Sequence, residues 1–390
     1  MKVQKGTAPD NEKGKGAAMN KDFYTDTVCY TDSSDLISRT FLSSEEIDDI
    51  ARVIRYYPMR IPEGYFSLID PCDPDDPIAR MCIPSLDELD PSGESDTSGE
   101  RDNTAMTGLQ HKYRQTALIL TTNECAMYCR HCFRKRLVGI SADELNSRVD
   151  VAVRYVKERP EINNVLLSGG DALMLPNPIL RRYLSELCSI DSLDFIRIGT
   201  RLPAVLPQRI TDDEDLLDMI AGFAEKKALC VVTQFDHPRE LGKEQQKAVR
   251  CLTERSVQVR NQTVLLRGVN DSAETLGELL RRLTCAGIIP YYVFQCRPVR
   301  GVKGRFQVPL AEGVRITDGA RAMQNGIGKS FRYVMSHPRG KIEILGEDED
   351  GRMIFKFHQN KNSLDASKLF KVSLSTEDTW LSEDLKGTTC

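Results

Sequence analysis

The chain has 390 residues, 40% of them hydrophobic, and 53 Lys and Arg against 57 Asp and Glu give a formal net charge of -4. That length suits one large domain with an extension, or two ordinary domains. No run approaches the roughly 20 apolar residues of a spanning helix, no apolar stretch follows the basic N-terminus, and no basic stripe interleaves with aromatics. Membrane and nucleic acid are therefore not expected as partners, and a cytoplasmic location is.

Residues 1–22, rich in Lys, Gly, Asn and Ala without periodicity, read as a disordered tail. Residues 23–110 read as a helical and extended N-terminal segment. Its helix starts in "LSSEEIDDIARVIRYYP", where Ser43 and Glu46 make a capping box and Ile47, Ile50, Val53 and Ile54 form one apolar face. The Pro- and Asp-dense stretch that follows reads as extended connecting chain and not as a folded unit.

After His111 short β-branched runs recur: "ALILTT", "NVLLSGG", "FIRIGT", "LCVVTQF", "VRNQTVLL" and "IPYYVFQC". Amphipathic segments of helix length separate most of them, as in "PILRRYLSELCS" and "ETLGELLRRLTCA". Six such alternations predict an α/β fold with parallel strands buried on both faces, either a barrel or a doubly wound sheet. The reading adopted for 111–326 is a partial (β/α)6 TIM-like barrel, followed by a strand-rich cap over 327–390 with a turn at "EDEDG".

Ligands gather at the C-terminal ends of such strands, and the unusual residues fall there. Cys125–Arg136, "CAMYCRHCFRKR", follows the first run, "SGGD" the second, Arg201 the third, His237 the fourth and Arg297 the sixth. The other nine of the twelve cysteines are scattered and read as small buried hydrophobes or bystanders. Cys125, Cys129 and Cys132, at x3 then x2 spacing, are chelating in pattern. Structural zinc usually takes four ligands in two separated pairs, whereas three cysteines on a cubane cluster leave one iron open. The spacing suits the cluster better, with zinc or inert thiols as the alternatives.

The C-x3-C-x2-C loop resembles the radical S-adenosylmethionine superfamily, and "TTNECAMYCRHCFRKRLVG" is similar to lysine 2,3-aminomutase and its relatives. "YFSLIDPCDPDDPIARMCIPS", "LLSGGDALML", "IRIGTRLPAVLPQRIT", "TQFDHPRE", "NQTVLLRGVND" and "PYYVFQC" continue the resemblance, in order, over roughly residues 40–340. It implies a radical SAM isomerase in which Cys125, Cys129 and Cys132 hold a [4Fe-4S] cluster. Ser168, Gly169, Gly170 and Asp171 would meet the methionine end of S-adenosyl-L-methionine, with Arg201, His237 and Gln262 as further cofactor-binding residues. "SGGD" is equally readable as a strand-to-helix turn capped by Asp171, and His237 as a structural histidine.

The resemblance also implies pyridoxal phosphate, with Lys341 as its lysine and Lys112 and Tyr113 beside it. Thr116, however, replaces the family arginine that holds the phosphate. Arg134 matches the group that takes the substrate α-carboxylate, with Lys135 and Arg136 expected to be solvated or structural. Arg297 and Ser336 stand where lysine aminomutases place two aspartates for the distal ammonium. A cation there disfavours lysine and favours an acidic or amide amino acid, unless Arg297 pairs with a protein acid such as one of the "EDED" turn. A 2,3-aminomutase is thus expected, with a pyridoxal-free radical enzyme as the alternative. The expected partners are the amino acid substrate, a reductant such as flavodoxin or ferredoxin, and a second copy of the chain in a homo-oligomer.

Overall fold

The computed structural model describes residues 27–37, 42–146 and 148–389, so the tail read over 1–22 lies outside the described residues. The expected first helix is present as α1, Ser44–Val53. Ser43 and Glu46 close the capping box, and Ile47, Ile50 and Val53 are buried. No helix among the described residues is long and apolar enough to cross a membrane.

The six expected strands form as β1 Thr116–Thr122, β2 Asn164–Gly169, β3 Phe195–Gly199, β4 Ala228–Thr233, β5 Gln258–Leu265 and β6 Ile289–Gln295. Each pairs in parallel with the next. The intervening helices include α2 Val149–Lys157, α3 Asn177–Cys188, α4 Glu214–Ala224, α5 Lys243–Thr253 and α6 Ala273–Cys285. They bury the apolar faces of Leu, Val and Ile that their 3.6-residue spacing put on one side.

One further helix, α7 Leu310–Ala322, returns the chain to a seventh parallel strand, β7 Arg332–His337, within the segment read as cap. Two antiparallel strands, β8 Gly340–Glu347 and β9 Met353–Asn360, extend that edge, and Lys341 of β8 lies in register with Ser336 of β7. The sheet remains open, with antiparallel strands on both flanks. It is strongly curled, as a partial barrel requires. Lys112, on the strand Leu109–Tyr113 that flanks β1, donates to His337 O on β7 at 2.6 Å although the two strands stand at opposite ends of the parallel array.

The Pro- and Asp-rich stretch corrects the sequence reading, because it folds. Pro77–Cys82 forms a helix capped by Asp76, Leu86–Leu89 a 3-10 turn capped by Ser85, and Ile78, Met81, Glu88 and Glu100 are buried. At the other end of the chain, Trp380 is buried in a hairpin, and Gln295 at the end of β6 donates to the Thr379 carbonyl at 2.8 Å.

Candidate active site

The cysteine loop leaves β1 and is held from two sides. Beneath it, the Gly170 amide donates to Thr122 O at 2.6 Å and the Asp171 amide to Glu124 O at 2.8 Å. Gly169 has φ of +125°, and a side chain at Gly170 would meet the backbone of Asn123 and Glu124. The glycines are therefore required by the backbone of the cysteine loop itself. Asp171 likewise serves the scaffold, accepting from Leu173 N at 3.0 Å and Arg201 N at 2.6 Å.

Above the loop, the N-terminal segment clasps it: Tyr128 N donates to Arg60 O at 3.1 Å and Arg130 N to Met81 O at 2.9 Å. Two buried acids answer the cationic tail. Glu88 accepts from Arg130 Nε at 2.9 Å and from Lys135 Nζ at 2.6 Å; Glu100 pairs with Arg134 at 3.0 Å and Arg136 at 2.8 Å. Burial would hold both carboxyls protonated, but Arg130 and Lys135 bring Glu88, and Arg134, Arg297 and Arg136 bring Glu100, down to about 2. Lys135 and Arg136 are thus structural pairs. Neither acid carried a readable signal, since each sits in polar chain whose partner lies about 35 to 50 residues away.

Cys125, Cys129 and Cys132 are half-buried free thiols. Burial raises all three, and at Cys129 the Arg201 guanidinium, 2.6 Å from Sγ, works against it. Among the described residues no three His, Cys, Asp or Glu side chains converge as one metal ion demands. Three thiols on one tight loop, with the Arg201 guanidinium beside one of them, are a soft donor set of the kind that an iron-sulfur cluster takes. Arg201 is in turn fixed by Glu240 at 2.7 Å and Asp236 at 3.4 Å. His237 caps a short 3-10 turn through Nδ1, accepting from Arg239 N at 3.2 Å, and burial lowers it to about 4. Gln262 is half-buried in the middle of β5 and not at its end.

Arg134 is buried, with Nε on Glu100 and Nη1 3.2 Å from Ser168 Oγ. Arg297 stacks on Phe133 at 4.0 Å and donates to Ser98 Oγ at 2.8 Å. Its partners do not include the "EDED" turn, where Asp348 pairs with Arg352 and Lys371. Lys341 Nζ lies 4.2 Å from the Tyr292 ring centre; burial and then the cations Arg197, Arg297 and Lys112 lower it to about 7. Lys112 donates to Ser98 O at 3.0 Å and to His337 O at 2.6 Å, and burial with Arg297 lowers it to about 7 as well. Its neighbour Tyr113 lies beneath the Lys112 ammonium, 5.7 Å from ring centre to Nζ. Lys112, Arg134, Arg297 and Lys341 thus gather around one interior.

No family model matches the chain. An Aquifex aeolicus protein provisionally named an L-lysine 2,3-aminomutase is 39% identical over 344 residues, 88% of this chain and 91% of its own. The L-lysine 2,3-aminomutase of Clostridium subterminale is 37% identical over 288 residues, 73% of this chain and 68% of its own. The glutamate 2,3-aminomutase of Clostridioides difficile is 33% identical over 343 residues, 87% and 78% of the two chains. Among solved structures, a radical SAM methyltransferase from Sphaerobacter thermophilus aligns with a TM-score of 0.37 and 18% identity over 58% of this chain and 68% of that one. A partial barrel carrying this cysteine loop at the end of its first strand, with relatives of this kind, defines a radical SAM enzyme. Within that class, the chain belongs to the lysine 2,3-aminomutase family of isomerases.

Proposed function

We propose that the enzyme moves the amino group of an acidic or amide amino acid from C2 to C3, using a [4Fe-4S] cluster, S-adenosyl-L-methionine and pyridoxal phosphate. Cys125, Cys129 and Cys132 would hold the cluster, with Ser168, Arg201, His237 and Gln262 toward the nucleotide. An external reductant such as flavodoxin or ferredoxin would feed it. Together these cofactors supply a 5′-deoxyadenosyl radical, which takes hydrogen from the substrate, and a carbonyl group on which nitrogen can travel. The chain's own residues do the positioning. Arg134, oriented through Nε by Glu100, faces the α-carboxylate; Lys341, with its lowered ammonium, Lys112 and Tyr113 face pyridoxal phosphate; Ser336 lies beside Lys341.

The observation that carries the substrate class is Arg297. Its guanidinium has no carboxylate within ion-pair distance among the described residues, and Glu100, the nearby acid that acts on it, is already paired with Arg134 and Arg136, so a substrate carboxylate or amide suits it and an ammonium does not. The glutamate-acting relative supports that choice. The test compares 5′-deoxyadenosine formation with L-glutamate and L-lysine before and after Arg297→Asp. Glutamate is expected to prevail in the native enzyme and to be lost in the variant, whereas a native preference for lysine overturns the substrate reading. Thr116 favours the pyridoxal-free alternative, which wins if no borohydride-fixable visible chromophore forms; a chromophore that forms and survives Lys341→Ala would instead remove Lys341 as the lysine that carries pyridoxal phosphate.

A further inference from the structure

The buried arginines Arg130, Arg134, Arg201 and Arg209 each face a protein carboxylate, Glu88, Glu100, Glu240 and Asp213 respectively. Arg197 does not. Half-buried, it points from β3 into the barrel, between Ile196 and Ile198, which are buried against the helices. Nη2 donates to Asn164 Oδ1 at 2.6 Å, Nε is buried with no partner, and no Asp or Glu among the described residues lies within ion-pair distance. The groups around it are Tyr291, Tyr292 and Cys230, which are neutral, and the cations Arg260 and Lys341. A desolvated guanidinium without an anion is costly, so an interior of this composition calls for one from outside the chain.

We infer that Arg197 is the floor of an anion site and takes the phosphate of pyridoxal phosphate, supplying the cation that Thr116 lacks. This rests on the cofactor reading above. Asn164 links the two positions: its side chain bonds both Thr116 Oγ1, at 3.0 Å, and Arg197. A phosphate monoester matches the site because it is doubly charged and can accept from the free Nε and from a threonine hydroxyl together. The height is also suitable. Arg197 lies four residues, about 13 Å of extended chain, before Arg201 at the cysteine loop, leaving the phosphate end far from the radical end.

The test is a spectroscopic titration of the reconstituted enzyme with pyridoxal phosphate, pyridoxal and inorganic phosphate, for native protein, Arg197→Met, Arg197→Lys and Thr116→Arg/Arg197→Met. Native protein is expected to prefer pyridoxal phosphate to pyridoxal, with inorganic phosphate competing against the former alone. Arg197→Met should lose that preference and bind pyridoxal phosphate at least about tenfold more weakly. Arg197→Lys should retain part of it, and the double variant should recover it. A second readout separates binding from scaffold. Ligand-free Arg197→Met should melt no lower than native protein, since it removes an unpaired charge, and pyridoxal phosphate should no longer raise its Tm. Equal affinity in native protein and Arg197→Met, or a lower ligand-free Tm in that variant, overturns the assignment while leaving the cofactor reading standing. Native protein that binds no pyridoxal phosphate at all overturns both.

Discussion

Glu88→Gln is the sharpest test of how the cysteine loop is held. The carboxylate is completely buried between Arg130 and Lys135, and a glutamine in its place would leave two interior cations with one neutral acceptor. Lowering the carboxyl from 4.5 to about 2 corresponds to roughly 3 kcal/mol at ~1.4 kcal/mol per pH unit. Breaking a buried pair by removing one partner typically costs about 3–5 kcal/mol, which agrees. Because the folded value is depressed, this contribution is present above the unfolded carboxyl value near 4.5 and fades as pH falls toward 2. Urea unfolding of ligand-free protein should therefore show about 3 kcal/mol lost in Glu88→Gln at pH 7, and a smaller difference at pH 4. Iron content after reconstitution should fall too, because Arg130 ties the loop to Pro58 O at 2.9 Å. A loss below about 1 kcal/mol, or one that does not shrink on acidification, refutes the claim that Glu88 holds the loop.

Gly170→Ala would place a methyl 2.8 Å from backbone carbonyl carbons of Asn123 and Glu124, so a loss of about 1–3 kcal/mol and of bound iron is expected by thermal melting and iron analysis. Wild-type iron content in that variant would show that the loop can retreat. For Lys341, a value of about 7 against an ordinary 10.5 means that the neutral amine appears as pH rises through 7. The visible band formed with pyridoxal phosphate should therefore grow between pH 6 and 8. A band that begins to form only above pH 9 would indicate an ordinary exposed lysine.

Much of the architecture was legible because its causes are local. The six barrel strands coincide within two residues with apolar runs bounded by turns, and the Ser43–Glu46 capping box announced α1 from four residues. The cysteine spacing was equally local, since a chelating loop is one short piece of chain. The arrangement around Lys341 was legible only in part. Resemblance marked Lys341, Arg134 and Arg297, but it could not distinguish a ligand contact from a scaffold role for Asp171, Gly170 or His237.

The sequence by itself determined the alternation of strand and helix and the cysteine loop at the end of the first strand, because periodicity and spacing are properties of neighbouring residues, and its resemblance to known proteins marked the family. Only the tertiary structure decided which charges are answered. Arg130 and Lys135 meet Glu88 across more than forty residues, Arg134 and Arg136 meet Glu100, and Arg197 meets no acid among the described residues. The physical reason is that a charge in a folded interior is governed by what lies within a few ångströms of it, and chain distance carries almost no information about that.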